Sequence, residues 1–163
     1  MNRRRLTVEQ WRDSLLFTSG LLETGGGPSI ELLDPANRKR TLYARISRLK
    51  LDDMLNQFDY PDANVHAEKR SVTTTPTQKL FLLNSPFVLE QAKALAARLT
   101  SKPGEPDVKR VERAYLMLYA RTSTPDELAL AVEYLNGADS EGLTRWERYA
   151  QVLLAANEMF YLD

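Results

Sequence analysis

Thr144-Arg145-Trp146-Glu147-Arg148-Tyr149-Ala150-Gln151-Val152-Leu153-Leu154-Ala155-Ala156-Asn157-Glu158-Met159-Phe160 is the stretch that decides the fold class. Thr144 with Glu147 three residues on is a capping box: the hydroxyl meets one free backbone N–H and the carboxylate reaches back to another. Behind it Trp146, Tyr149, Leu153, Ala156 and Phe160 recur at spacings of three and four, the period of a helix with one apolar face. Working outward, Thr124-Pro125-Asp126-Glu127 opens another helix, which carries Leu128, Val132 and Leu135. Val108, Val111, Tyr115 and Leu118 stripe a third. Three antiparallel helices joined by short turns would bury the three stripes together. Aromatic residues in such stripes, Trp146 included, read as core rather than as a cofactor box. The expected fold is all-α or nearly so: an antiparallel or orthogonal helix bundle with a long polar loop.

Toward the N-terminus the same signals recur. Thr75-Pro76-Thr77-Gln78 is a box with proline at the first helical position, where its missing N–H costs little. Ser85-Pro86 starts the next helix, with Val88, Ala92, Leu95 and Leu99 on one face. Thr7 with Gln10 caps a helix expected over residues 7–22, carrying Val8, Trp11, Leu15 and Leu22 and ended by Gly25-Gly26-Gly27-Pro28. No Gly-Lys-Ser/Thr follows those glycines, so they read as a loop and not as a phosphate cradle. Residues 38–50 hold Arg38, Lys39, Arg40, Arg45, Arg48 and Lys50 and no acidic residue. Leu42, Ala44 and Ile46 alternate with Thr41, Tyr43 and Arg45, which suggests one short extended segment over residues 40–46. This basic run reads as a solvated face paired with Asp52, Asp53 or Asp59, or else as an anion-binding strip. A short helix is expected over residues 51–57. Residues 101–106 read as a loop inside one domain spanning 1–163, without internal repeats.

The chain has 163 residues, 43% of them apolar, enough for a sizeable core. Lys+Arg and Asp+Glu are both 22, so formal charge is zero and nothing pulls the whole chain toward nucleic acid. With no cysteine, disulfides, thiolate metal sites and cysteine nucleophiles are excluded. No apolar run approaches the ~18 residues of a membrane span. After the basic Met1-Asn2-Arg3-Arg4-Arg5, the residues Leu6 to Asp13 are too polar for a signal core, so an export signal would lie on a longer precursor.

The densest set of reactive side chains lies in Phe58-Asp59-Tyr60-Pro61-Asp62-Ala63-Asn64-Val65-His66-Ala67-Glu68-Lys69-Arg70. Asp59, Asp62, Asn64, His66 and Arg70 are the candidate ligand-binding residues, with Glu68 beside them. They could offer oxygen ligands and one imidazole, but their spacing fits neither an EF-hand loop nor a two-histidine zinc motif. One histidine and no cysteine argue against zinc; no metal site and no cofactor are assigned. Asp59 with Asp62 could form an acid–base pair. The competing reading is turn chemistry: Asp62-Ala63-Asn64 bonding its own backbone, and Arg70 holding Asp59 or Asp62 as a fork pair. Ser71 and Thr73 to Thr75 could supply a hydroxyl nucleophile, but only His66 could be its imidazole base and no oxyanion hole is marked.

Arg5-Leu6, Trp11-Arg12-Asp13-Ser14-Leu15-Leu16, Gly26-Gly27-Pro28, Arg40-Thr41-Leu42-Tyr43, Phe58-Asp59-Tyr60-Pro61-Asp62, Thr73-Thr74-Thr75-Pro76-Thr77-Gln78 and Leu83-Asn84-Ser85-Pro86-Phe87 form an ordered set. Together with Ala114-Tyr115, Pro125-Asp126-Glu127-Leu128 and Asn157-Glu158, they resemble the PSD-type domain of unknown function common in planctomycetes. The resemblance implies the C-terminal piece of a larger exported protein whose upstream part resembles a cytochrome c, and hence a periplasmic or cell-surface home. It implies no catalytic residues. The expected function is a non-catalytic structural or interaction module. Its partners would be upstream domains of the same protein or another exported protein, with a glycan as a further candidate, no nucleic acid and no membrane span. The alternative is a hydrolase-like enzyme or metal-dependent site using the 59–70 loop. An enzyme needs a pocket onto which Asp59, Asp62, His66 and Arg70 converge; a module shows exposed apolar surface where other domains sit.

Overall fold

Four threonines set four helix starts, each by the reciprocal bonds that the sequence pattern calls for. Thr7, Thr75, Thr124 and Thr144 all accept the backbone N–H three residues on, and all four N3 side chains return to the threonine's own N–H. A computed structural model describes residues 4–47, 49–62, 64–66, 68–138 and 142–162. Among these the order is β1 (Arg4–Arg5), α1 (Val8–Ser19), α2 (Asp53–Gln57), α3 (Pro76–Asn84), α4 (Pro86–Thr100), α5 (Asp107–Tyr119), α6 (Pro125–Leu135), α7 (Arg145–Ala155) and β2 (Tyr161–Leu162). The fold is mainly helical, as expected.

The core is built on α4. Its buried face, Val88, Ala92, Leu95, Ala96 and Leu99, is the one marked by the spacing. It packs most extensively on α7, through Ala150, Leu153 and Leu154, and next on α1. The stripes of α5 and α6 bury Val111, Ala114 and Tyr115, and Ala131 and Leu135. Val108, in the first turn of α5, remains exposed. One contiguous apolar cluster runs from Val8 to Phe160.

Three expectations need correction. First, α1 ends at Gly20, well before the glycine run. Gly20 takes φ 81°, and its N–H bonds Leu16 O and Phe17 O. That left-handed turn suits a residue without Cβ. Second, residues 40–46 are not a sheet strand. Thr41–Tyr43 is a 3-10 turn, and the only β-type pairing near it among the described residues is the isolated bridges Glu23↔Lys39 and Glu31↔Arg45. The buried residue of the turn is Thr41, while Leu42 is 75% exposed, so the apolar alternation does not face the core. The two strands lie elsewhere: β1 pairs antiparallel with β2, Arg4 opposite Leu162 and Arg5 opposite Tyr161.

Third, Trp146 is only half-buried and meets Tyr149 edge-on at 5.8 Å. The indole at the centre is Trp11, with 0% exposed. It stacks between Phe58 at 4.9 Å and Phe160 at 5.0 Å, tying α1 to the end of α2 and to the residues before β2. Deleting a buried aromatic costs about 3–5 kcal/mol. Trp11→Ala should therefore shift the urea midpoint by that equivalent, and Trp146→Ala by clearly less. Equal shifts would contradict this assignment of the core.

Candidate functional site

The 59–70 loop is braced from two sides by residues far away in sequence. Asp59 adopts φ 60°, a left-handed conformation that aspartate tolerates. Its carboxylate accepts the Thr73 N–H at 2.9 Å and the Thr73 hydroxyl at 2.7 Å, with Arg5 at 3.5 Å. Arg5 also donates to Thr73 O and, at 3.0 Å, to Gln78 Oε1. Gln78 Nε2 in turn bonds Gln57 O at 2.7 Å. Gln78 is thus both the N3 residue of the α3 capping box and a link to α2. These bonds fasten the entry and exit of the loop together.

Arg70 does not hold Asp59 or Asp62. Its Nη1 donates to both oxygens of Glu9 on α1, at 2.8 and 2.9 Å, and its guanidinium lies 5.2 Å from the Tyr60 ring centre. The arginine is paired with a different carboxylate, and through one nitrogen rather than a two-nitrogen fork. Asp62 accepts the Asn64 N–H at 2.8 Å and the Asn64 amide at 3.1 Å, a turn of the Asx kind. Ala63, within that turn, and Ala67 lie outside the described residues. Asp62, Asn64, His66 and Glu68 are exposed. Asp59 and Arg70 alone of the five candidates line a small cavity of about 60 Å³, with Arg5, Trp11, Phe58 and Phe160. That is space for a few waters. Trp11, whose buried Nε1 has no partner among the described residues, is one of the lining residues. Asp59 accepts from Thr73 and Arg5, and Asp62 accepts through Oδ1 from Asn64, so these bonds tie the two carboxylates to different partners. No group of three metal-ligating side chains gathers among the described residues.

The basic run is paired, but not with the acids near it in sequence. Arg38 meets Glu90 at 3.4 Å, Arg40 meets Asp13 at 3.5 Å, Arg45 pairs with Glu31, and Lys39 bonds Pro28 O at 3.4 Å. Arg48 lies outside the described residues. Asp52 instead caps α2 through the Met54 N–H at 2.9 Å.

Sequence reasoning missed the most buried cation. Arg12 is 0% exposed. Its guanidinium donates to Asn37 O at 2.7 Å, Lys39 O at 3.0 Å, Leu32 O at 3.2 Å and the Thr41 hydroxyl at 3.3 Å, and sits 5.3 Å from the Phe87 ring centre. Burial lowers its pKa to about 10 against the opposing pull of Asp13 and Asp52, so it stays charged at neutral pH. Next to it Asp13 accepts the Thr41 N–H and hydroxyl, both at 2.7 Å. The only sequence cue was a charged Arg-Asp pair directly after a core tryptophan.

A third brace closes the C-terminal helices. Arg121 donates to Glu127 at 2.7 and 2.8 Å and to Glu158 at 2.8 and 3.1 Å, and lies over Tyr115 and Tyr119. Those bonds, with the Thr124 cap, hold the Glu127 carboxyl at about 2. Tyr119 donates to Leu153 O at 2.8 Å, and burial raises its pKa.

Residues 1–135 match PSD1, described as a protein of unknown function (DUF1553). The chain belongs to the PSD1 family. No curated protein and no solved structure matches it. The PSD1 match contains all of the 59–70 loop, the Arg12 cluster and the first six helices. It stops at Leu135, where α6 ends, so Asn157-Glu158 lies beyond it. Yet α7 supplies the main partner of α4, so the end of the PSD1 match is not a boundary of the core.

Two predictions test the braces. Arg12→Ala strips several buried acceptors at once and should cost about 3–5 kcal/mol, whereas Arg70→Lys, in a partly exposed pair, should cost under about 1 kcal/mol by urea denaturation. Equal costs would contradict this ranking. Glu127's folded pKa lies below its ordinary value, so its pairing stabilises the fold above the usual carboxylate range and is lost as pH falls through about 2. The Tm deficit of Arg121→Ala should accordingly shrink from pH 7 toward pH 2; a constant deficit would contradict the pairing.

Proposed function

We propose that this PSD1 domain is a non-catalytic interaction module of a larger exported, cytochrome-c-associated protein in the periplasm or at the cell surface. The observation that carries the reading is the surface of the 41–49 turn. Leu42 is 75% exposed and Leu49 99%, with Tyr43 and Ile46 also exposed beside them. Four apolar side chains within nine residues are a run, unlike the singly scattered apolar residues normal on surfaces. Basic residues flank them in sequence, but Arg38, Arg40 and Arg45 already pair with Glu90, Asp13 and Glu31. The apolar run itself is the contact proposed for the partner.

The turn is also mechanically suited to docking. Arg12 and Asp13 hold Thr41 against α1, so the exposed side chains are presented from a fixed base and need little ordering on contact. The occupant proposed is the upstream part of the same exported protein. The polar 59–70 loop serves as internal bracing, since Asp59, Asp62 and Arg70 all have structural partners.

The test uses this domain and the preceding part of the full-length protein as separate chains, titrated calorimetrically. Binding is expected, and Leu42→Ser with Leu49→Ser should weaken it at least about tenfold while leaving the Tm in place, since both residues are exposed. Equal binding by the variant, or none by the unmodified pair, would overturn the proposal.

A further inference from the structure

A cavity larger than the one beside the 59–70 loop lies away from that loop. It has about 190 Å³ and sits where the first turn of α4 meets the C-terminal half of α1 and residues 33–38. Leu16, Leu33 and Phe87 supply apolar wall; Asp34, Arg38 and Glu90 are the charged groups around it. The volume is below the ~300 Å³ at which drug-sized pockets begin, so it suits one small ring or a short chain of atoms.

Two polar side chains in its lining, on residues that are themselves largely buried, have hydrogen-bonding capacity that no protein group among the described residues takes up. Ser85, 7% exposed, is the N-cap of α4 but makes no capping hydrogen bond with its side chain. Thr7, Thr75, Thr124 and Thr144, by contrast, all use their hydroxyls as caps. Gln91, 1% exposed, is tied at one end only, to the Ser19 hydroxyl at 2.7 Å. Ser19 also bonds Leu16 O at 3.0 Å. It has a single proton, so it either donates to the carboxamide oxygen or accepts from the carboxamide nitrogen. Either way the other end of the Gln91 amide has no protein partner among the described residues, and the residue lines the cavity. Polar groups at a cavity wall with capacity to spare can be met by a ligand or by ordered water.

The charges decide which ligand. Two carboxylates, Asp34 and Glu90, stand against one guanidinium, Arg38, which is already 3.4 Å from Glu90. Asp34 accepts only the Ala36 N–H, at 2.8 Å. Excess carboxylate disfavours an anion, even at a helix N-terminus. A neutral ligand whose groups both donate and accept fits every polar side chain present: a hydroxyl can donate to Glu90 or Asp34 and pair with Ser85 and with either end of Gln91. Its less polar ring face would lie on Leu16, Leu33 and Phe87.

We propose that this cavity binds a single neutral polyhydroxylated ring, a monosaccharide unit, alone or at the end of a glycan. The site is independent of the docking turn and stands or falls separately from it.

The experiment is an amide chemical-shift titration of the ¹⁵N-labelled chain with glucose, galactose, mannose and N-acetylglucosamine, with inorganic phosphate at matched ionic strength as the anion control. At least one sugar should shift the Phe87 and Gln91 amides saturably, with Kd of about 1–10 mM. Ser85→Ala should weaken that sugar at least about fivefold without lowering the Tm, because the hydroxyl makes no cap. Glu90→Ala should weaken it as well. Overturning results would be the absence of saturable shifts with any sugar, tighter binding of phosphate than of sugar, or equal sugar binding by both variants.

Discussion

A guanidinium buried without a carboxylate of its own holds the N-terminal half of this protein in place. Arg12 projects from α1 beneath residues 32–41 and gives its N–H groups to three backbone carbonyls and one hydroxyl. Those carbonyls belong to a segment with almost no regular secondary structure, whose backbone groups would otherwise lack partners away from water. Asp13 completes the arrangement from the next position by taking Thr41. A cation costs much to bury, and here it is compensated by dipoles, by the Phe87 face and by two carboxylates at a distance. The consequence is a long irregular segment with a defined shape. That segment leaves Leu42 exposed and forms the wall of the α4 cavity through Leu33, Asp34 and Arg38.

Much of the helical scaffold was legible because its signals are local. A threonine, its N3 partner and the stripe that follows lie within a few turns, so all four boxes and most of the buried face of α4 could be placed from spacing alone. Of the α7 stripe only Tyr149 and Leu153 fall in its buried face, beside Ala150 and Leu154, and Phe160 lies in the turn after the helix. The errors came where partners are remote. Arg70 finds Glu9 and Asp59 finds Thr73 and Arg5, while the basic run finds Asp13, Glu31 and Glu90 in place of the acids closest in sequence. Spacing likewise treats two tryptophans as equal core candidates. Only the packing of Phe58 and Phe160 shows that Trp11 is the central one. The α4 cavity has no linear signature, since it is assembled from three separate segments and from a serine that resembles an ordinary helix cap.

The polar stretch that looked most like a reactive site is a set of cross-ties. Arg5, Asp59, Thr73 and Gln78 tie β1, the end of α2 and the start of α3, while Arg70 ties the loop to α1. Arg121 does the same work for α5, α6 and the residues after α7. Membership of PSD1 gives these arrangements a family context without assigning an activity. Function is proposed for two surfaces beside these braces: the exposed apolar residues after Thr41, and the cavity at the head of α4.

Native-state hydrogen exchange of Arg12→Lys tests the central claim most directly. Lysine keeps the charge but lacks the planar fork that reaches several carbonyls at once. The amides of Glu23, Asn37, Thr41 and Arg45, all hydrogen-bonded within or against the clamped segment, should lose protection. Those in the middle of α4 and α7 should keep theirs. Unchanged protection of the segment, or an equal loss across the whole core, would contradict the view that Arg12 holds it.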